Sequence, residues 1–214
     1  MAKKQQQRAL ESREQILDVA LELFSRQGYR GTTMREIAER CGRSTGIVYH
    51  HFPDKESIFT TLLDRYWAIL EDPEHPINQA LASGAFPDNL EELGRAARRS
   101  VSAYEPYIAL IYVDVVELGG EHIRTFYSSM AERFERFVRN HPDMLQGERS
   151  LRADLSPGFA VMLATRVFLQ YFAVEILFGV PSHFGLDSDE TVHEIAEVLR
   201  RGMLRPDHET DPSA

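Results

Sequence analysis

The stretch "CGRSTGIVYHHFPDKES", Cys41–Ser57, sets a glycine, a short β-branched run, four aromatic or imidazole rings and a proline in quick succession. It is too polar for a core helix and too short for a membrane span, so its rings and hydroxyls need another partner. Just ahead lies "TMREIAERCG", where Thr33 and Glu36 have the spacing of a capping box and Gly42 suits a left-handed turn. Beyond the turn Ser44 can cap a brief helix reaching His50, after which Pro53 and Asp54 mark a break and a restart. Further upstream, "SREQILDVALELFSRQ" opens on Ser12 and Gln15 with the spacing of a capping box, carries Ile16, Leu17, Ala20, Leu21 and Phe24 on one face, and is followed by Gly28, placed to end it.

Two short helices about a tight glycine turn, with a third ahead of them, make a helix-turn-helix. The second helix of such a unit enters the major groove, about 12 Å wide, so its first residues must be slim enough to approach base edges. "RSTG" meets that need: Arg43 can reach guanine, Ser44 and Thr45 can donate or accept, and Gly46 lets the backbone come close. Tyr49, His50 and Lys55 suit phosphates.

Helical spacing of apolar residues continues to the end of the chain and strand-like alternation never persists, so an all-α protein is expected. A fourth helix buries Ile58, Phe59, Leu62, Leu63, Tyr66 and Trp67 and ends at the loop "EDPEHP". Further helices are expected from near Asp88, after Pro106, and from about Gly120, the last with Ile123, Phe126, Tyr127, Met130, Phe134 and Phe137 inward. "FAVMLATRVFLQYFAVEILFGV" has the length of a membrane span, but Arg166, Gln170 and Glu175 interrupt it, so it reads as a buried helix. A final helix, "SDETVHEIAEVLRRGML", precedes a polar tail. The division expected is a head at 8–53, a helical body at 54–206 and a disordered tail at 207–214.

The net charge of −9 argues against a polyanionic partner until its placement is considered. Residues 1–55 hold ten Lys/Arg against seven Asp/Glu, whereas residues 56–214 hold fourteen against twenty-six. A basic head on an acidic body suits a nucleic-acid module joined to a domain with a different task. Cys41 is the sole cysteine, which precludes an internal disulfide, and the start "MAKKQQQRAL" has no apolar signal core; a cytoplasmic protein without membrane contact is expected.

"TTMREIAERCGRSTGIVYHHFPDKESIF", Thr32–Phe59, resembles the DNA-binding signature of the TetR family of bacterial transcriptional regulators, and with "ILDVALELFSRQGYRG" before it the likeness covers about residues 12–63. Ala38, Gly42, Tyr49, Phe52 and Lys55 fall where that family's pattern has them. The resemblance implies that Thr33, Tyr49, His50 and Lys55 hold phosphates while residues 43–46 and Tyr49 face bases. Arg43 departs from the small apolar residue common at its position. The resemblance further implies a homodimeric repressor joined through its last two helices, released from a palindromic DNA operator by a small-molecule effector. Phe168, Phe172, Ile176, Val192, Ile195 and Leu199 are the dimer residues expected on that basis.

Rings and polar groups on the body helices suggest an effector pocket lined by Trp67, Tyr107, Ile111, Asp114, Phe126, Phe168, Tyr171 and Glu175, taking a hydrophobic ligand. Set against this, any one of those rings can simply be core, and Arg124 or Arg166 can satisfy Asp114. The competing class is a metal-binding helical bundle or enzyme. "ETVH", Glu190–His193, has the Glu-x-x-His spacing, but its nearest second copy, "DPEH" at Asp72–His75, contains a proline and reads as loop. His50 and His51 project about 100° apart on a helix, a poor chelating pair. The chain has no phosphate-binding glycine loop, nucleophile elbow or zinc spacing, so no catalysis, metal or cofactor is expected.

Overall fold

Ala, Lys, Gln, Arg, Leu and Glu precede Ser12, all of them good helix formers, and the first helix accordingly begins well before that residue. The computed structural model describes residues 2–83, 85–145 and 151–204, with side chains from Lys4 onward. In it α1 spans Ala2–Gly31, so Ser12 is not a cap: it lies within the helix, buried, with no partner for its hydroxyl. Among the described residues the protein is all-α, with one antiparallel bridge between Leu151 and Leu204. The tail at 207–214 lies outside the described residues.

The chain divides into two compact units, residues 1–70 with 106–127, and residues 71–105 with 128–214. The first unit is therefore larger than the head expected from the sequence. It contains α1, α2 (Met34–Arg40), α3 (Thr45–His51), α4 (Lys55–Glu71) up to Leu70, the later part of α6 (Leu90–Glu117) and α7 (Glu121–Ser128) up to Tyr127. The reason is a shared core: Ile58, Phe59, Leu62 and Leu63 of α4 and Leu110 of α6 are buried with Ile16, Leu17, Ala20 and Phe24 of α1, Ile37 of α2 and Val48 of α3. Trp67 is only half-buried.

The expected helix from Gly120 is two helices, because Ser129 departs from helical geometry (φ −99°, ψ 0°) between α7 and α8 (Met130–Asn140). Tyr127, expected inward, is exposed. The helices expected on either side of Pro106 run on as α6 across a kink at Tyr104 (φ −117°, ψ 19°), two residues before the proline, so the break expected there is present. Proline removes one hydrogen bond of the preceding turn, and the distortion falls there.

The second unit holds α5 (Pro76–Ala82), the start of α6, α8, α9 (Pro157–Phe172) with its π-helical continuation Ala173–Leu177, and α10 (Ser188–Met203). Pro157–Leu177 is long and apolar enough to cross a membrane by composition, and Ala160, Val161, Ala164, Phe168 and Phe172 within it are buried inside the protein. Gly94 of α6 lets α9 and α10 approach closely: a Cβ there would lie 2.6 Å from Val192 Cγ1 and 3.0 Å from Phe168 Cε1. Asp187 and Glu190 form a complete capping box at the start of α10.

α5 begins on the last residue of the loop expected after α4 and continues where no helix was expected; its cap is a histidine, outside the usual capping set. The Ile77 N–H donates to His75 Nδ1 at 3.3 Å, so the neutral ring carries its proton on Nε2, which donates to Ser100 Oγ at 2.9 Å. Burial pushes His75 down to about 4. The unfolded chain, with a histidine near 6.5, binds a proton that the fold refuses. The associated stability is present above about pH 6.5 and declines as pH falls through 4, by about 3 kcal/mol in all. Urea unfolding at pH 7.0 and 4.5 is expected to show this loss, and His75→Gln is expected to shrink the pH-dependent part by about 2 kcal/mol.

Candidate nucleic-acid interface

The turn between α2 and α3 is built from backbone. Gly42, at φ 63°, donates to Glu39 O at 3.0 Å, and Arg43 N–H donates to Ala38 O at 2.9 Å, closing α2 and redirecting the chain. Thr33 caps α2, its Oγ1 accepting from Glu36 N–H at 3.1 Å. The reciprocal half of the expected box is used otherwise, since Glu36 Oε2 accepts from Gln27 Nε2 at 2.9 Å. The exposed Thr33 hydroxyl retains its own proton for donation.

α3 is anchored by one apolar side. Val48 is fully buried and Phe52, just past the helix, is 2% exposed, which leaves Ser44, Gly46, Ile47, Tyr49 and His50 on the surface and Thr45 half-exposed. Ser44 has extended backbone at the N-cap but makes no capping hydrogen bond, so its hydroxyl is not consumed by the helix. Tyr49 is 52% exposed, a large cost for an aromatic ring unless something else covers it. The helix thus presents small and hydrogen-bonding groups first and a ring one turn later.

Two basic residues have internal partners. Lys55 Nζ donates to Tyr29 O at 2.6 Å and Thr32 O at 2.8 Å and lies 4.1 Å above the Tyr29 ring; desolvation lowers its pKa, opposed by Glu117. Its first task is to fasten the end of α1 to the start of α4. Arg43 Nη2 donates to Gln15 Oε1 at 3.3 Å, and Gln15 Nε2 in turn donates to Cys41 O at 3.3 Å. Arg43 therefore leans on α1 and borders a cleft with Arg8, Glu11 and Gln15. Arg8 and Gln15 are absent from the sequence-based set. Their spacing puts them on one face of α1, a stripe that shows only when the helix is started at Ala2.

The residues expected around an effector separate into the two units. In the first, Trp67 stacks on Phe126 (3.9 Å between centroids, 11°) and Tyr66 on Tyr107 (5.6 Å, 9°), with Ile111 half-buried nearby in sequence. Asp114 is fully buried, and neither Arg124 nor Arg166 is what satisfies it: His122 Nδ1–H donates to its Oδ1 at 2.7 Å and Ile123 N–H to its Oδ2 at 3.0 Å. In the second, Phe168 is core, Tyr171 is 3% exposed, and Glu175 Oε1 accepts from Ser188 Oγ.

Of the expected dimer residues, Phe168, Phe172 and Val192 are buried inside the second unit, Phe168 and Val192 close to Gly94. Ile176, Ile195 and Leu199 are half-buried. The apolar side chains these helices leave exposed are Phe159, Leu163 and Val198. Glu190 spends its carboxylate on the α10 cap and His193 faces Glu91 at 3.6 Å, so the "ETVH" pair is drawn into the fold.

A short helix set on a three-helix head, with its polar face outward, defines a helix-turn-helix DNA-binding protein. Residues 16–62 match the model of the bacterial regulatory proteins of the TetR family. The transcriptional regulator SrpR of Pseudomonas putida is 30% identical over 171 residues, 75% of this chain and 74% of that protein. The transcriptional repressor KstR2 of Rhodococcus jostii is 28% identical over 144 residues, 67% of this chain and 69% of that protein. A TetR family regulator from Pseudomonas syringae pv. tomato shares the fold, with a TM-score of 0.61 at 23% identity over 91% of this chain and 97% of that one. The chain belongs to the TetR family and is a DNA-binding transcriptional regulator.

Proposed function

We propose that this regulator is a homodimeric repressor that binds a palindromic operator through α3 and is released by a small-molecule effector. The observation that carries the DNA contact is the outward face of α3, where Ser44, Gly46, Tyr49 and His50 stand clear and Thr45 is half-exposed while Val48 and Phe52 anchor the helix. Ser44, Thr45, Gly46 and Tyr49 take the base edges; Thr33, Tyr49 and His50 take phosphates. Arg43, held against Gln15, is assigned with Arg8 to the backbone, and Lys55 to positioning the head, with any phosphate contact secondary to its two carbonyl partners.

Fluorescence anisotropy on duplexes tiled across the DNA flanking the gene, with scrambled competitor and at several salt concentrations, tests the reading. Competitor-resistant binding to a near-palindrome is expected; equal, salt-sensitive binding to every duplex would sink it. Thr45→Ala is expected to relax the preference at one base position by about 1–2 kcal/mol. Arg43→Ala is expected to weaken binding to all sequences alike and flatten the slope of log K against log salt by about 0.9.

Dimerisation is proposed through the exposed sides of α9 and α10. Val198, 69% exposed, supports Val198→Asp as the probe, since it touches little of its own protomer and would bury an unpaired charge against a partner. Sedimentation velocity is expected to show a dissociation constant raised at least about a hundredfold. Two recognition helices reach successive major grooves only when about 34–36 Å apart. An effector favouring another spacing weakens DNA binding by the factor with which DNA weakens effector binding. The paired stacks Trp67–Phe126 and Tyr66–Tyr107 support an apolar effector region in the first unit. A partner of this kind implies a cytoplasmic protein.

A further inference from the structure

At the far end of α9 the helix widens into the π turn Ala173–Leu177, a local geometry that recurs at functional sites. The chain then returns along 178–187 to α10 and lays two rings on Tyr171: His183 nearly parallel (4.8 Å, 25°) and Phe184 edge-on (5.3 Å, 65°). Phe172 meets Tyr171 at 4.9 Å and 74°. Three buried polar atoms of this segment have no hydrogen-bond partner among the described residues: Tyr171 Oη and His183 Nδ1, on the stacked rings, and Glu175 Oε2, four residues on from Tyr171. Tyr171 itself is 3% exposed. Glu175 Oε1 is engaged by Ser188 Oγ at 2.5 Å, so one carboxylate oxygen is fixed and the other remains unmatched.

Buried polar atoms are nearly always satisfied, and three orphans, two of them on stacked rings and the third one helical turn along, call for a partner. Their chemistry specifies it. A carboxylate oxygen only accepts, and a phenol oxygen and an imidazole nitrogen can both accept, so the complement is a group with several donors and a positive charge. We propose that Tyr171, Glu175 and His183 form a binding site for a primary ammonium ion carrying an aryl or alkyl chain, whose three N–H donors answer the three orphans while the rings cover the chain. The way in is the segment 180–184. It is bounded by Gly179 (φ 67°) and Gly185 (φ 82°), contains Ser182 at φ 53°, and exposes Val180 and Phe184. Ligand entry displaces His183 and Phe184 about those two glycines.

The site belongs to the second unit and goes beyond the effector region proposed above for the first; it rests on the effector reading only for its consequence at the operator. Isothermal titration calorimetry of the full chain with 2-phenylethylamine and with hexylamine tests it directly. Saturable binding of one amine per chain is expected, weakened at least tenfold by Glu175→Gln and by Tyr171→Phe, near-isosteric changes whose folding is checked by thermal midpoint. 2-Phenylethanol, which lacks the charge, and benzyltrimethylammonium, which lacks the N–H donors, are expected to bind at least tenfold more weakly. No amine binding at millimolar concentration, or equal affinity in both variants, overturns the site. Anisotropy on the operator is read separately: amine binding that leaves DNA affinity unchanged keeps the site and refutes release by this ligand.

Discussion

Gly28→Ala is expected to lower the free energy of unfolding by about 3 kcal/mol, read from the urea midpoint with the denaturant slope unchanged. Gly28 has φ 79° and ψ 173°, a region essentially closed to residues with a side chain. A Cβ would also fall on the Glu117 carboxylate, which accepts the Arg30 N–H at 2.6 Å while Arg30 Nη2 donates to Glu117 O at 3.1 Å. The carboxylate can swing away, but only by abandoning that bond. Glu117→Ala in the same background is therefore expected to recover the steric part, about 1 kcal/mol, and to leave the backbone part. Full recovery would show that φ at Gly28 costs nothing.

The second large effect is at Asp114. His122→Ala leaves its buried carboxylate to the Ile123 N–H, and a loss of about 2–3 kcal/mol is expected. Asp114→Ala removes the group that needs satisfying, so Asp114→Ala/His122→Ala is expected to cost at least about 1 kcal/mol less than the sum of the single changes. Strict additivity would mean that the pair is not coupled. The cycle has a functional side, because His122 also meets α4, with Nε2 3.3 Å from Thr60 Oγ1 and its ring 5.8 Å from Phe59. Variants that loosen this junction are expected to alter operator affinity without touching α3.

The head was legible because its signals are local. Thr33, Gly42 and Ser44 act through backbone a few residues away, and Val48 and Phe52 keep helical spacing, so turn and recognition helix could be placed from the residues themselves. Helix ends beyond it were harder to place. Good helix formers ahead of Ser12 carried α1 onward, and a histidine cap hid α5. Site residues in the body were harder still. Phe168, Phe172 and Val192 have the same apolar character as Phe159, Leu163 and Val198, and composition does not say which set faces inward.

By itself the sequence determined an all-α chain with a helix-turn-helix at its start, since capping, glycine turns and apolar period are properties of neighbours along the chain. Only the tertiary structure decided that α4 and residues 106–127 share the core of the head, that Lys55 and Arg43 are fastened to α1, that Asp114 is answered by His122, and that Tyr171 and His183 stack and, like Glu175, keep a buried polar atom unmatched. Each depends on residues distant in sequence, and the pairing of distant residues is fixed by packing, which no local pattern encodes.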